Sequence, residues 1–141
     1  MKRFALFLAC ALVAASSWAA DLTVSGAWIR QLPAGAPAGG YFTLHNHGSR
    51  ATELVGASSP DYAMVMLHKT VENGGTSTMV GVDSIELPAG GAISFSPGGY
   101  HLMLMHAKRR FELGSRVPVT LRFDDGRTLD ADFEVRGPTG N

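Results

Sequence analysis

Closely spaced turn-forming residues constrain the fold of this chain more than any other feature of its sequence. The chain has 17 glycines and seven prolines, and many of them separate short apolar segments from one another. Within these segments apolar and polar residues alternate, a period of two that is typical of β-strands. No segment after residue 20 has a convincing amphipathic helical period. The sequence therefore predicts an all-β chain, folded as an antiparallel β-sandwich of many short strands.

The first twenty residues have the pattern of a secretory signal peptide. Lys2 and Arg3 precede a short apolar segment, and small residues follow it. This apolar segment is too short to cross a bilayer and is typical of a cleaved leader. We therefore expect cleavage after Ala19 or Ala20 and export to the periplasm.

The remaining residues are enough for one ordinary domain. Removal of residues 1–20 from the 141-residue chain leaves 121 residues, which can enclose a hydrophobic core. We expect a β-sandwich over 21–136 and a short flexible tail over 137–141. Ten basic residues then face twelve acidic ones, a balance that indicates neither a nucleic-acid partner nor an anionic membrane surface. We expect a monomer without a membrane span.

Cysteine is confined to the predicted signal peptide. Cys10 is the only cysteine, and lipid anchoring there is not favoured because the apolar segment before it is very short. The mature chain then has no disulfide, thiolate nucleophile or thiolate metal site. Five methionines and five histidines remain. Thioethers do not form disulfides, so they suit a soft-metal site in an oxidising compartment.

The segment that follows Gly98 and Gly99 carries several metal-binding side chains in alternation. On a strand, His101, Met103 and Met105 share one face, and the two leucines between them point to the other. The segment therefore predicts a strand with an imidazole and two thioethers outside the core.

A second predicted strand carries Met64, Met66 and His68 on one face. The turn signal at residues 73–75 (Asn-Gly-Gly) predicts a hairpin, and Met79 lies on its return strand. A short hairpin brings Met79 near His68 at little loop-closure cost.

Together these strands offer two imidazoles and two thioethers, from His68, Met79, His101 and Met103. Thioethers are soft, neutral ligands that favour Cu(I), and imidazole also suits copper. Zinc prefers thiolate, imidazole or carboxylate, and calcium and magnesium require oxygen ligands. The set predicts one Cu(I) per chain, with Met66 as an auxiliary ligand.

Other interpretations remain open at this point. Methionine often fills gaps in cores, and either half of the set, taken alone, is better explained by packing. An enzyme is one alternative class, although a blue-copper site requires a cysteine ligand. A non-metal adhesion or carbohydrate module is another, and it predicts no copper affinity. A periplasmic copper buffer would use the same site but give copper sensitivity on deletion.

The chain resembles the periplasmic copper chaperones of the PCu(A)C type. That family has the motif His-x10-Met-x21-His-x-Met, and His68, Met79, His101 and Met103 match it at every spacing. The similarity also covers four further segments: Ala27-Trp28-Ile29-Arg30, Tyr41-Phe42-Thr43-Leu44, residues 54–60 (LVGASSP) and residues 97–101 (PGGYH).

The resemblance implies a fold and a function. The fold would be a cupredoxin-like, immunoglobulin-like Greek-key sandwich. The function would be that of a non-enzymatic Cu(I) chaperone that delivers copper to the CuA centre of a respiratory cytochrome c oxidase. An oxidase subunit and a Sco-type thiol protein would be its transfer partners.

The chain also departs from the family pattern. Lys69 follows the first histidine where many relatives have an acid, and His106 stands where glycine is common. Met64 and Met66 add thioethers to the His68 face. The tail at 137–141 lacks the His- and Met-rich extension that takes Cu(II) in some relatives, so that activity is not expected here.

Overall fold

The computed structural model describes residues 21–33 and 35–141, so the predicted signal peptide lies outside the described residues. All regular elements in the described part are strands, which confirms the all-β prediction. None of its elements is a helix long and apolar enough to span a bilayer. The strands are β1 (Leu22–Arg30), β2 (Ala38–Asn46), β3 (Thr52–Ser58), β4 (Tyr62–Asn73), β5 (Thr76–Gly81), β6 (Ile85–Leu87), β7 (Ala92–Phe95), β8 (Tyr100–Ala107), β9 (Arg116–Phe123) and β10 (Thr128–Arg136).

The strands form one continuous sheet that encloses a single core. Their order is β5-β4-β8-β2-β1-β10-β9-β3-β6, and β7 pairs with β2. Buried apolar side chains from both halves of this sheet meet in one cluster. At its centre the Phe42 ring stacks on Phe95 at 4.2 Å and meets the edge of Phe133 at 5.4 Å, both between ring centroids. Aromatic pairs of this kind stabilise a core beyond the area that they bury.

The first strand departs from simple alternation. A β-bulge lies between Ser25 and Trp28, and Gly26 within it has a φ of 61°, a conformation that glycine adopts without a Cβ clash. In a regular strand, residues seven positions apart point to opposite faces. The bulge reverses the alternation between Leu22 and Ile29, so both side chains can be buried. β1 also pairs in parallel with β10. Parallel pairing needs a long connection between the two strands, and here the whole domain forms that connection.

Three strands at one end of the sheet determine the position of the site. β4 pairs antiparallel with β5 on one side and with β8 on the other. Leu102 and Leu104 of β8 are fully buried in the core. Because side chains alternate along a strand, the residues between and beside these leucines lie on the opposite face. At the other end of the chain, residues 137–141 form a turn, in which the Gly137 amide donates to the Asn141 carbonyl at 2.9 Å.

Candidate metal centre

The register of β4 and β8 brings the two predicted histidine ligands together. His68 lies directly opposite His101, and Met66 lies directly opposite Met103. Directly opposed residues share a face of the sheet and have neighbouring Cβ atoms. The two imidazole rings are 5.8 Å apart between centroids and are inclined by 57°. The histidine pair is therefore the centre of the candidate site.

The two predicted methionine ligands flank this pair from opposite directions along the strands. On β5, Gly81 lies opposite His68 and Met79 lies opposite Thr70, so Met79 is diagonal to His68. Met103 is displaced the other way along β8. Met79 is 57% exposed. The hairpin thus brings Met79 near His68, as the sequence predicts, and leaves its side chain accessible.

A backbone carbonyl orients the His101 ring. The Gly99 carbonyl accepts a hydrogen bond from the Thr70 amide at 3.1 Å and lies 3.3 Å from His101 Nδ1. Because a carbonyl only accepts, Nδ1 must carry the ring proton, and Nε2 of the neutral ring is then the bare nitrogen. His101 is 4% exposed. Its Nε2 is buried and has no hydrogen-bond partner among the described residues.

The His68 ring is even less satisfied. Both of its ring nitrogens are buried and have no hydrogen-bond partner in the described part of the chain. Burial lowers the pKa of His68 from its usual value, and the neighbouring His101 lowers this pKa further. A neutral imidazole is the form that binds a metal ion. Three buried, unpartnered ring nitrogens at one place are unusual in a folded protein, and they fit a site that accepts a metal.

The donors around the histidine pair are soft. Within residues 21–33 and 35–141, no group of three or more histidine, cysteine, aspartate or glutamate side chains is arranged to hold a metal. The side chains adjacent to the pair on the same face are those of Met66, Met103, Met79 and Thr70, so the sulfur donors outnumber the single hydroxyl. A histidine–thioether environment suits copper and provides neither the thiolates nor the oxygen ligands that other common metals require.

Comparison with known proteins identifies the family. The family model described as "Putative lipoprotein LpqE-like" matches residues 22–135. The chain belongs to the LpqE-like family. It is 37% identical over 118 residues to "Putative lipoprotein Lxx21020" of Leifsonia xyli subsp. xyli, a match that covers 83% of this chain and 70% of that protein.

Two solved structures resemble the LpqE-like chain over most of its length. The Cu(I) form of DR1885 from Deinococcus radiodurans is 35% identical, with a TM-score of 0.68, and the match covers 86% of this chain and 83% of that one. The copper-bound PCuAC domain of PmoF2 has a TM-score of 0.70 at 24% identity and covers 84% and 94% of the two chains. These likenesses confirm the predicted cupredoxin-like sandwich and the resemblance to PCuAC proteins.

Several features of the LpqE-like site were not predicted from the sequence. Alternation predicts the face on which Met64 and Met105 lie, but not that they lie opposite each other. Their pairing depends on the register between β4 and β8. Pro97, Gly98 and Gly99 indicate a turn, but they do not predict that the Gly99 carbonyl faces the His101 ring. His106 has a φ of 56°, a left-handed backbone conformation that glycine adopts most easily.

The remaining histidines lie apart from this face. His45 and His47 stack on each other at 5.7 Å between ring centroids. His47 Nε2 forms a hydrogen bond with the Thr23 hydroxyl at 2.9 Å.

Proposed function

We propose that this LpqE-like chain carries one Cu(I) ion, bound by His68, Met79, His101 and Met103. The observation that carries the proposal is the pair of facing imidazoles with buried, unpartnered nitrogens on a methionine-bearing face. Leaving such nitrogens without partners costs free energy in the empty protein. A metal ion would satisfy them, and neutral soft donors favour the cuprous state.

The comparisons support copper as the cargo. DR1885, which is 35% identical to this chain, has a solution structure in its Cu(I) form. The four proposed ligands also follow the spacing of the PCu(A)C motif. We therefore extend Cu(I) binding from that relative to this chain, with Met66 as an auxiliary thioether opposite Met103.

The proposed ligands differ in how easily they can release the ion. His101 is buried and held through Nδ1 by the Gly99 carbonyl, so it would remain in place. Met79 is exposed on a hairpin whose strand β5 is exposed along its whole length. An acceptor ligand can therefore approach beside Met79, and Met79 would leave first. A thiolate acceptor binds Cu(I) more strongly than a thioether, so transfer toward a cysteine site is downhill.

We infer that the chain works as an exported chaperone and catalyses no turnover. The proposed acceptor is the CuA centre of a respiratory cytochrome c oxidase, with a Sco-type thiol protein as a second partner. The leader-like sequence of residues 1–20 and the lipoprotein name of the Leifsonia relative support a location in the cell envelope. We propose the periplasm, reached through cleavage of the leader and without an anchor at Cys10.

A competition experiment tests the proposed hand-over. Cu(I)-loaded protein is mixed with a reduced, copper-free CuA domain in the presence of a Cu(I) chelator. We expect copper to reach the acceptor faster than it dissociates into the chelator, at a rate that rises with acceptor concentration. A transfer rate equal to the spontaneous dissociation rate would refute direct delivery and favour the copper-buffer interpretation.

A further inference from the structure

The face that carries the histidine pair continues as a row of thioethers. Beyond His68 and His101, the next opposed pair is Met66 with Met103, and the pair after that is Met64 with Met105. Two antiparallel strands therefore present three successive opposed pairs, with like side chains facing each other. The four-ligand set accounts for only half of these six side chains.

The spacing of the row allows the sulfurs of Met64, Met66 and Met105 to approach one another. Directly opposed Cβ atoms are about 4.5–5.5 Å apart, and neighbouring pairs follow at about 6.6–6.8 Å along the strands. Methionine is long, unbranched and flexible, so its sulfur can move several ångströms from its Cβ. Met64 is 48% exposed, Met66 is 39% exposed and Met105 is half-buried. These three thioethers are accessible and adjacent.

We propose that Met64, Met66 and Met105 form a second, weaker Cu(I) site beside the histidine site. This inference rests on the proposed function, because it gives the same ion a route between solvent or a partner and the histidines. Three thioethers without an imidazole still select the soft cuprous ion. Met66, which faces Met103, is the side chain that both sites can use, so the ion can pass between them by exchange of sulfur ligands.

A protein-docking surface is the competing explanation, since exposed methionines also occur at adaptable interfaces. Interface centres are enriched in methionine as well as in aromatic residues and arginine, but tryptophan, tyrosine and arginine contribute most of the binding energy. On β4 and β8, the positions at these three levels hold only methionine and histidine. The alignment of donor with donor at every level favours a metal site over a docking surface.

Methionine-methyl NMR tests the inference residue by residue. The mature chain has five methionines, so ¹³C-methyl labelling gives five signals, which single Met→Leu variants assign. Cu(I) is added anaerobically in the presence of a reductant. We expect the first equivalent to shift Met79 and Met103, the second to shift Met64 and Met105 together, and Met66 to respond to both.

Two variants separate the inference from the proposed function. Met64→Leu combined with Met105→Leu should lose the second equivalent and keep the first at unchanged affinity. The matched control, Met79→Leu, should weaken the first site and leave the shifts of Met64 and Met105 in place. If Met79 and Met103 never shift, the proposed four-ligand site fails, whatever the other signals do. If Met64 and Met105 stay unshifted at excess copper, or shift only when a partner protein is added, the second site is refuted.

Discussion

Replacing His68 with leucine should stabilise the empty protein while abolishing its response to copper. Leucine is similar in size to histidine and carries no polar atom. His68 contributes two of the three unpartnered ring nitrogens at the site. Removal of a histidine that supports the fold would lower the stability of the empty protein, whereas removal of a histidine that serves only metal binding would not. The substitution therefore separates the two roles.

The expected magnitude follows from the burial of the ring. Each buried polar group without a partner costs about 1–3 kcal/mol, and the lower end applies because His68 is only half-buried. Removal of both nitrogens should therefore raise the free energy of unfolding of the empty protein by about 1–2 kcal/mol. For a domain of this size the melting temperature should rise by roughly 3–8 °C.

Thermal unfolding with and without Cu(I) measures both effects. At free copper a thousandfold above Kd, binding should stabilise the wild-type protein by about 4 kcal/mol, and His68→Leu should lose this gain. Thr70→Val is the matched control, since Thr70 lies two residues further on the same face of β4, and it should keep the copper response. A drop of more than about 1 kcal/mol in the empty His68→Leu protein would refute the reasoning, because the ring would then stabilise the fold.

Three further predictions concern pH, the exposed ligand and the backbone. Burial lowers the pKa of His68 in the folded state. The free energy of unfolding of the empty protein should therefore be constant above about pH 6.5 and should fall as the pH drops from there through the lowered pKa. Denaturant titrations that show no change in stability down to about pH 5 would contradict this. Copper affinity, measured by chelator competition, should fall over the same range, because protons compete for the imidazoles. Met79→Leu should change the free energy of unfolding by less than about 0.5 kcal/mol, since the side chain is exposed. The same variant should bind Cu(I) at least about tenfold more weakly in a chelator competition. If the variant and the wild-type protein have equal affinity, Met79 is not a ligand. His106→Val should destabilise the protein by about 1–2 kcal/mol in chemical denaturation, because a β-branched residue is strained at a φ of 56°. His106→Gly should not destabilise it, because glycine adopts this φ without strain. Equal stability of the two variants would argue against a left-handed backbone at this position.

Local patterns in the sequence predicted the strands and the side chains on the metal-binding face of β4 and β8. Alternation assigns His101 and Met103 to the face opposite the buried Leu102, and the structure has this arrangement. The turn at residues 73–75 predicted the hairpin that carries Met79. These predictions succeed because side-chain alternation and turn chemistry depend on neighbouring residues alone.

Features that depend on distant contacts were not predictable in this way. The level at which His68 meets His101 depends on the register between strands that are more than thirty residues apart. The bulge at Gly26 shifts the alternation of β1, so its period of two does not continue along the whole strand.

X-ray absorption at the copper edge tests the central claim most directly. A protein with Met64, Met66 and Met105 replaced by leucine, which removes the proposed second site, is loaded with less than one equivalent of Cu(I). It is compared with the same protein carrying Met79→Leu and Met103→Leu in addition. We expect both nitrogen and sulfur neighbours in the first protein and loss of the sulfur contribution in the second. A spectrum with nitrogen or oxygen neighbours alone in the first protein, or an unchanged sulfur contribution in the second, would contradict the assignment of Met79 and Met103.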